Sequence, residues 1–412
     1  MAGIDSSREK RDSMTQPPRG NTPVSTPETQ VTVPGLGRLG PERDGTAQVT
    51  PRLDSLTSLR WWAAFGVFIF HMRVFAPVPW LQAFAGFGNY GVAFFFILSG
   101  FVLTWSARPG TSTKNFYWRR FARIYPAHIV ALLLAIPVFY SILPGHDEPW
   151  VKPVSLGILL LSVFLVQGWS NDPQILFSGN PAAWTLTVEF FFYAIHPWVI
   201  RLMRLLSTAG LRVMLVGVVL VAFLYRALVV FSPEGWWALL PTPMIRVSEF
   251  FLGMGIAMLL RRGVSLRISP LIPLVLLAGY MGALVSMRIL GTAPHLVYMI
   301  ERFEAETFIV LFALLIFAFA QSDLRGGPSV FRQRWMVKLG EWSFAFYLLH
   351  ATVMYTFLAI FGAQSFGVSN LVWYPVILTI GLIGAWALYR LVEAPVERRM
   401  RKWGNARWQS GS

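Results

Sequence analysis

Eleven apolar runs dominate the chain, near residues 56–76, 88–106, 124–143, 154–169, 184–200, 213–231, 244–260, 269–290, 307–321, 339–361 and 371–392. A run of ~20 such residues is long enough to cross a bilayer as a helix. In lipid every backbone N–H and C=O must be satisfied internally, so only helices and closed barrels span it. The expected fold is all-α: a polytopic integral membrane bundle. The weakest run is VSLGILLLSVFLVQGW, 154–169, with sixteen residues and two glycines. We read it as a re-entrant or interfacial segment, which leaves about ten transmembrane helices.

Charge supports ten. Only 13% of the 412 residues are charged and 55% are hydrophobic, yet the net charge is +15. With ten spans, 27 of the 35 Lys and Arg fall on the side of the termini and only Lys152 and Arg302 on the other. The positive-inside bias then makes both termini cytoplasmic. Basic clusters that sort topology in this way argue against nucleic-acid binding. Trp80, Trp105, Trp184, Trp342 and Trp373 stand near expected span ends, as an interfacial aromatic belt requires. There is no cysteine, hence no disulfide framework, no thiol nucleophile and no thiolate metal site, and no metal is expected. Residues 1–52 are polar and rich in Pro, Ser and Thr; they read as a disordered cytoplasmic tail without a signal peptide. The expected organisation is that tail, a membrane domain over 53–400 and a basic cytoplasmic tail over 401–412. No internal repeat suggests the inverted halves of a transporter.

Several spans carry groups that lipid penalises. An ionisable side chain at the centre of a span costs ~2.5–3.5 kcal/mol on insertion scales, so it usually faces a partner or a cavity. Arg60 and His71 are eleven residues apart, three turns plus ~20°, and so project from one face about 16 Å apart. Arg60 reads either as a snorkelling, topology-setting cation or as a site residue, and His71 either as a core histidine bonded to a neighbour or as a site residue. In WTLTVEFFFYAIHP, Glu189 forms one polar stripe with Thr185, Tyr193 and His196, and that stripe must face protein or water. Trp184 opens the same helix. His350 lies midway along its run and reads first as a satisfied core histidine. Ser99 and Gly100 form a small pair, read first as a helix-packing notch and second as a nucleophile site. No G-x-S-x-G elbow exists, which removes the usual serine-hydrolase route.

Between the second and third spans, WRRFARIYPAH packs Arg119, Arg120 and Arg123 into five residues, with Pro126 expected to open the next helix. Positive-inside sorting accounts for such a cluster. So does phosphate and nucleobase binding, because Tyr117, Trp118 and Tyr125 interleave with the arginines.

Taken together, LTSLRWWAAFGVFIFH, FFFILSGFVL, RRFARIYP, WTLTVEFFFY, SEFFLGMGIA, LGEWSFAFYLLH and VEAPVERR resemble the membrane acyltransferase family 3, bacterial integral-membrane enzymes that O-acylate carbohydrates and related hydroxyl compounds. The matching strings run in family order over roughly 53–400. The resemblance implies an acyl-CoA donor taken from the cytoplasm, a hydroxyl acceptor, Arg60 and His71 as a characteristic pair, an arginine cluster at the cytoplasmic face and Glu189 in the catalytic core. It also implies a bacterial cell membrane as the location. Many members begin Leu-Asp-Gly-Leu-Arg; here Leu53-Asp54-Ser55-Leu56-Thr57-Ser58-Leu59 precedes Arg60, so the entry to the first helix differs. No soluble esterase-like domain of the kind some members append follows the last span. A glycosylated metabolite such as a macrolide is therefore as reasonable an acceptor as a surface glycan.

Acyl transfer from a thioester to an alcohol needs a base near the hydroxyl, and neutral imidazole suits that task near neutral pH. The expected base is His71, with Glu189 orienting or supporting it or a separate polar partner, Arg119, Arg120 and Arg123 holding CoA phosphates and Arg60 guiding the pantetheine arm or thioester end inward. Acyl-CoA acts as a substrate, and no permanently bound cofactor is expected. The rival readings are a carrier that exports a polar compound with Arg60, Glu189 and His71 as coupling groups, an acyltransferase of another lineage using His350 as base, and a scaffold.

Overall fold

The computed structural model describes residues 50–108, 110–141, 148, 150–327 and 329–408. The tail expected over 1–52 thus lies, up to residue 49, outside the described residues. The architecture is all-α, with helices α1 Asp54–Phe75, α2 Gly91–Trp105, α3 Thr113–Phe139, α4 Leu156–Val163, α5 Trp184–Leu205, α6 Thr208–Phe231, α7 Val247–Arg261, α8 Leu271–Leu290, α9 Glu304–Arg325, α10 Arg334–Phe361, α11 Trp373–Leu388 and α12 Ala394–Trp408. Among the described residues the strands amount to one two-residue parallel pair, Tyr140–Ser141 with Lys152–Pro153.

Among the described residues, eight helices, counted with their leading turns, are long and apolar enough to cross a membrane. Helices α1 and α5 are not among the eight, although each has 22 residues and at 1.5 Å per residue extends about 33 Å. Polar residues are what lower their hydropathy: α1 carries Arg60 and His71, and α5 carries Glu189 and His196. The demoted run 154–169 forms only the eight-residue α4 followed by a short turn at Gln167–Trp169; at about 12 Å it is too short to span.

Helices pack closely where small residues allow it. At the crossing of α2 and α7, a Cβ added at Gly253 would lie 1.8 Å from the Ile97 carbonyl oxygen, and one added at Gly100 would lie 2.1 Å from that of Phe250. The Ser99-Gly100 pair is therefore a packing notch at its glycine. Helix α1 lies along α10 in the same way, with Gly340 against the Thr57 carbonyl. The start of α1 is tied down from outside itself: Asp323 of α9 accepts from the Ser55 backbone N–H at 2.8 Å and from its hydroxyl at 2.6 Å.

One expectation is corrected here. Pro126 does not open a helix, because α3 begins at Thr113, where Ser112 accepts from the Asn115 N–H at 3.2 Å, and Pro126 lies in its interior. The arginine cluster is consequently helical. Arg119 and Arg123, one turn apart, share a face that turns toward α12, while Arg120 stands about 100° round the helix from Arg119 and about 60° from Arg123.

Candidate active site

Helices α1, α2, α3, α5 and α10 enclose a chamber of about 140 Å³. The polar stripe expected on α5 faces into it: Thr185, Glu189 and Tyr193 all line the wall. Glu189 Oε1 accepts from the Tyr193 hydroxyl at 2.5 Å and from the Ser99 hydroxyl at 3.3 Å. Helix α1 contributes Arg60, α3 contributes Arg120 and Arg123, and α10 contributes Phe344 and Tyr347. Trp184 stays outside the lining and packs edge-on against Phe96 with ring centres 6.3 Å apart.

The three arginines of α3 separate into different roles. Arg119 donates to Asn405 of α12 at 3.2 and 2.7 Å. Arg123 is ion-paired with the buried Glu393 and, at 3.3 Å, with Glu397. Arg120 has no such partner among the described residues: its Nε is buried without a hydrogen bond and its guanidinium lies 5.6 Å from the Phe116 ring centre. Arg60, too, makes no hydrogen bond or ion pair among the described residues, although it lines the chamber with Glu189. Two unpaired guanidinium groups beside one carboxylate make the chamber net positive.

A second cavity, of about 270 Å³, adjoins the first at the end of the bundle where α3 begins and α5 ends. Leu103 and Arg120 line both. Its wall adds Arg108, Arg119, Arg201 and Arg204, with His196 beside them. Counting on sequence assigned Arg108, Arg201 and Arg204 to topology alone. Their common cavity is a tertiary feature, and the only local signal was Arg201 and Arg204 spaced one helical turn apart just after the Glu189 stripe.

His71 does not line either cavity. Its ring stands 5.2 Å from that of His350, centre to centre, and 5.1 Å from Phe70. His350 in turn lies 5.5 Å from Tyr347, whose ring meets Phe95 at 5.8 Å at the edge of the chamber. Among the described residues Glu189 makes no contact with His71; Tyr193 and Ser99 hold its carboxylate. His350, read first as a core residue, is a ring neighbour of His71. One residue that sequence reasoning passed over is Glu393. It sits in a π-helical turn, Tyr389–Glu393, and is 1% exposed; π-turns recur at functional sites. The string VEAPVERR contained it, but its pairing with Arg123 across 270 positions is invisible locally.

Comparison with known proteins fits this arrangement. A family model described as an acyltransferase domain, acyltransferase family 3, matches residues 53–390. The chain is 36% identical over 325 residues to acyltransferase MdmB of Streptomyces mycarofaciens, covering 74% of this chain and 79% of that one. It is 29% identical over 161 residues to the peptidoglycan O-acetyltransferase OatA of Listeria monocytogenes, 36% of this chain and 23% of that one. With the O-acetyl transferase of Shigella phage Sf6 it shares 30% identity over 122 residues, 29% of this chain and 37% of the other. No solved structure matches it. With the family pattern running through the helices that build both cavities, the chain belongs to acyltransferase family 3 and is a multi-pass membrane O-acyltransferase.

Proposed function

We propose that the protein transfers a short acyl group, acetyl or propionyl in size, from acyl-CoA to a hydroxyl of a sugar-bearing acceptor, either a macrolide-type metabolite or a cell-surface glycan. The observation that carries this reading is that Arg120 lines both the chamber inside the bundle and the adjoining cavity with its five arginines. Arginine forks recognise phosphate by charge-assisted, bidentate hydrogen bonds. In this reading Arg108, Arg119, Arg120, Arg201 and Arg204 hold the nucleotide and phosphates of CoA. The pantetheine arm passes Arg120 into the chamber, between Ser99 and Glu189 on one side and Arg60 on the other.

His71 then acts as general base at the far end. It stands about 16 Å from Arg60 along α1, and the facing rings of Phe95 and Tyr347 must part for the thioester to meet it. The acceptor hydroxyl loses its proton to His71 and attacks the thioester carbon, whose carbonyl oxygen takes up the developing negative charge. Exclusion of water around the thioester suppresses its hydrolysis. Helices α1 and α5 cross the membrane with the other eight, giving ten spans, both termini lie in the cytoplasm, and the basic cavity opens there. The enzyme resides in the bacterial cell membrane, with the catalytic unit within 53–400.

The test uses purified full-length protein in phospholipid nanodiscs with acetyl- or propionyl-CoA labelled in the acyl group. Label is expected on a hydroxylated macrolide glycoside or on a glycan fragment, with turnover reduced about 10²–10⁴-fold in His71→Ala. An acceptor that is carried across vesicles while the label stays on CoA would refute the transferase and favour a carrier.

A further inference from the structure

His350 lies midway along α10, 2% exposed, with its Nδ1 2.5 Å from the carbonyl oxygen of Tyr347. A carbonyl oxygen only accepts, so Nδ1 carries the hydrogen and donates it. In a neutral imidazole Nε2 is then a bare lone pair. That nitrogen is buried with no hydrogen-bond partner.

The polar side chain beside it is His71, with ring centres 5.2 Å apart and planes at 50°. A linear N–H···N contact of about 3 Å, with each nitrogen roughly 1.1 Å from its ring centre, sets two imidazole centroids about 5 Å apart. The separation found leaves room for such a bond, which the present ring orientations do not make. His71 makes no hydrogen bond among the described residues, so no bond opposes a rotation of its ring that brings an N–H onto His350 Nε2.

We propose that His350 is a positioning residue for acyl transfer: its Nε2 accepts the N–H of His71, which leaves the other His71 nitrogen as the lone pair presented to the acceptor hydroxyl. The inference rests on the reading of His71 as base. Each member of the series Tyr347 carbonyl, His350, His71 sets the tautomer of the next, as outer partners do for metal-bound and catalytic imidazoles. The proton balance follows. The acceptor O–H breaks and its hydrogen goes to His71, the oxygen forms a bond to the thioester carbon, the C–S bond breaks, and the leaving thiolate takes the hydrogen from His71. The Tyr347 carbonyl is no proton sink, so the series leads nowhere else and the proton returns to sulfur.

His350→Gln keeps an amide oxygen where Nε2 stands, whereas His350→Asn reaches only to the Nδ1 position. In nanodiscs with labelled acetyl-CoA, His350→Gln is expected to keep kcat within about fivefold of the native protein. His350→Asn is expected to lose about 10–100-fold in kcat with the KM for acyl-CoA unchanged. Equal kcat values for the two, or the reverse order, overturn the proposal, and His71→Ala run alongside separates this from failure of the base assignment: inactive His71→Ala leaves that assignment standing. A readout independent of any variant is ¹⁵N-histidine solid-state NMR of the native protein. His350 protonated at Nδ1 and bare at Nε2 is expected; the opposite tautomer overturns the proposal.

Discussion

Replacing Gly253 with alanine tests whether the α2–α7 crossing sets the shape of the chamber. The added Cβ would lie 1.8 Å from the Ile97 carbonyl oxygen and 2.7 Å from the Phe101 nitrogen. Both are backbone atoms with no rotamer to yield. Bringing the shortest contact out to 3.0 Å moves the two helices apart by about 1.2 Å. Overpacking of this kind costs about 1–3 kcal/mol, and here the cost falls at the upper end because neither side can repack. Gly100 sits in the same crossing, its Cβ 2.1 Å from the Phe250 carbonyl. Once one alanine has separated the helices the second adds little, so the double variant is expected to be less destabilised than the sum of the singles. Since α2 carries Phe95, Phe96 and Ser99 into the chamber, turnover should also fall. The assay is thermal unfolding followed by tryptophan fluorescence in one detergent, with Gly279→Ala as control, where nothing lies within 4 Å of the new methyl. That control should be neutral or stabilised by up to ~1 kcal/mol, the usual helix preference for alanine. Gly253→Ala unfolding at the temperature of Gly279→Ala would refute the close crossing, as would strict additivity in the double variant.

Two further perturbations address charge. Glu393→Gln removes the buried partner of Arg123, which is 25% exposed, and breaking such a pair costs about 3 kcal/mol; thermal unfolding should show the loss, and Arg123→Met with Glu393→Leu together should regain most of it. Arg120→Ala is expected to raise the KM for acyl-CoA at least about tenfold, the worth of a charge-assisted hydrogen bond, whereas Arg119→Ala, whose guanidinium is already engaged by Asn405, should raise it less. Initial-rate kinetics with acyl-CoA as the varied substrate decide the matter. Equal KM values for the two variants would sink the assignment of Arg120 to the donor.

What could be read in advance was what a single helix determines. Thr185, Glu189 and Tyr193 share a face because they are spaced by four, and the structure turns that face into the chamber. The short run 154–169 was recognisable from its length and glycines, and it forms a helix of eight residues. Relations between helices were not legible. Arg60 and His71 do stand on one helix, but whether Glu189 meets the upper or the lower of them depends on how α5 lies against α1, and the structure brings it to the chamber of Arg60. RRFAR read as one basic cluster because a loop would let all three arginines point together. Continuation of α3 back to Thr113 fans them out, so that Asn405 takes Arg119, Glu393 takes Arg123 and Arg120 alone keeps a free edge.

The same logic explains why the two long helices that fall outside the apolar set are the ones that carry the candidate chemistry. A helix facing lipid gains nothing from an arginine or a glutamate and loses ~2.5–3.5 kcal/mol for either near its centre. Helices α6 and α8, whose apolar windows are 6% and 17% buried, accordingly carry mostly Leu, Val and Ala on open faces. Helices α1 and α5 escape that penalty only if neighbouring helices cover their polar sides, and α2, α3 and α10 do so around the chamber. Polarity within a span is then a statement about position before it is one about catalysis: it marks the helices that the bundle must enclose. A cavity between two such helices, net positive and adjoining a second one lined by five arginines, is where the fold's electrostatics favour an anionic ligand.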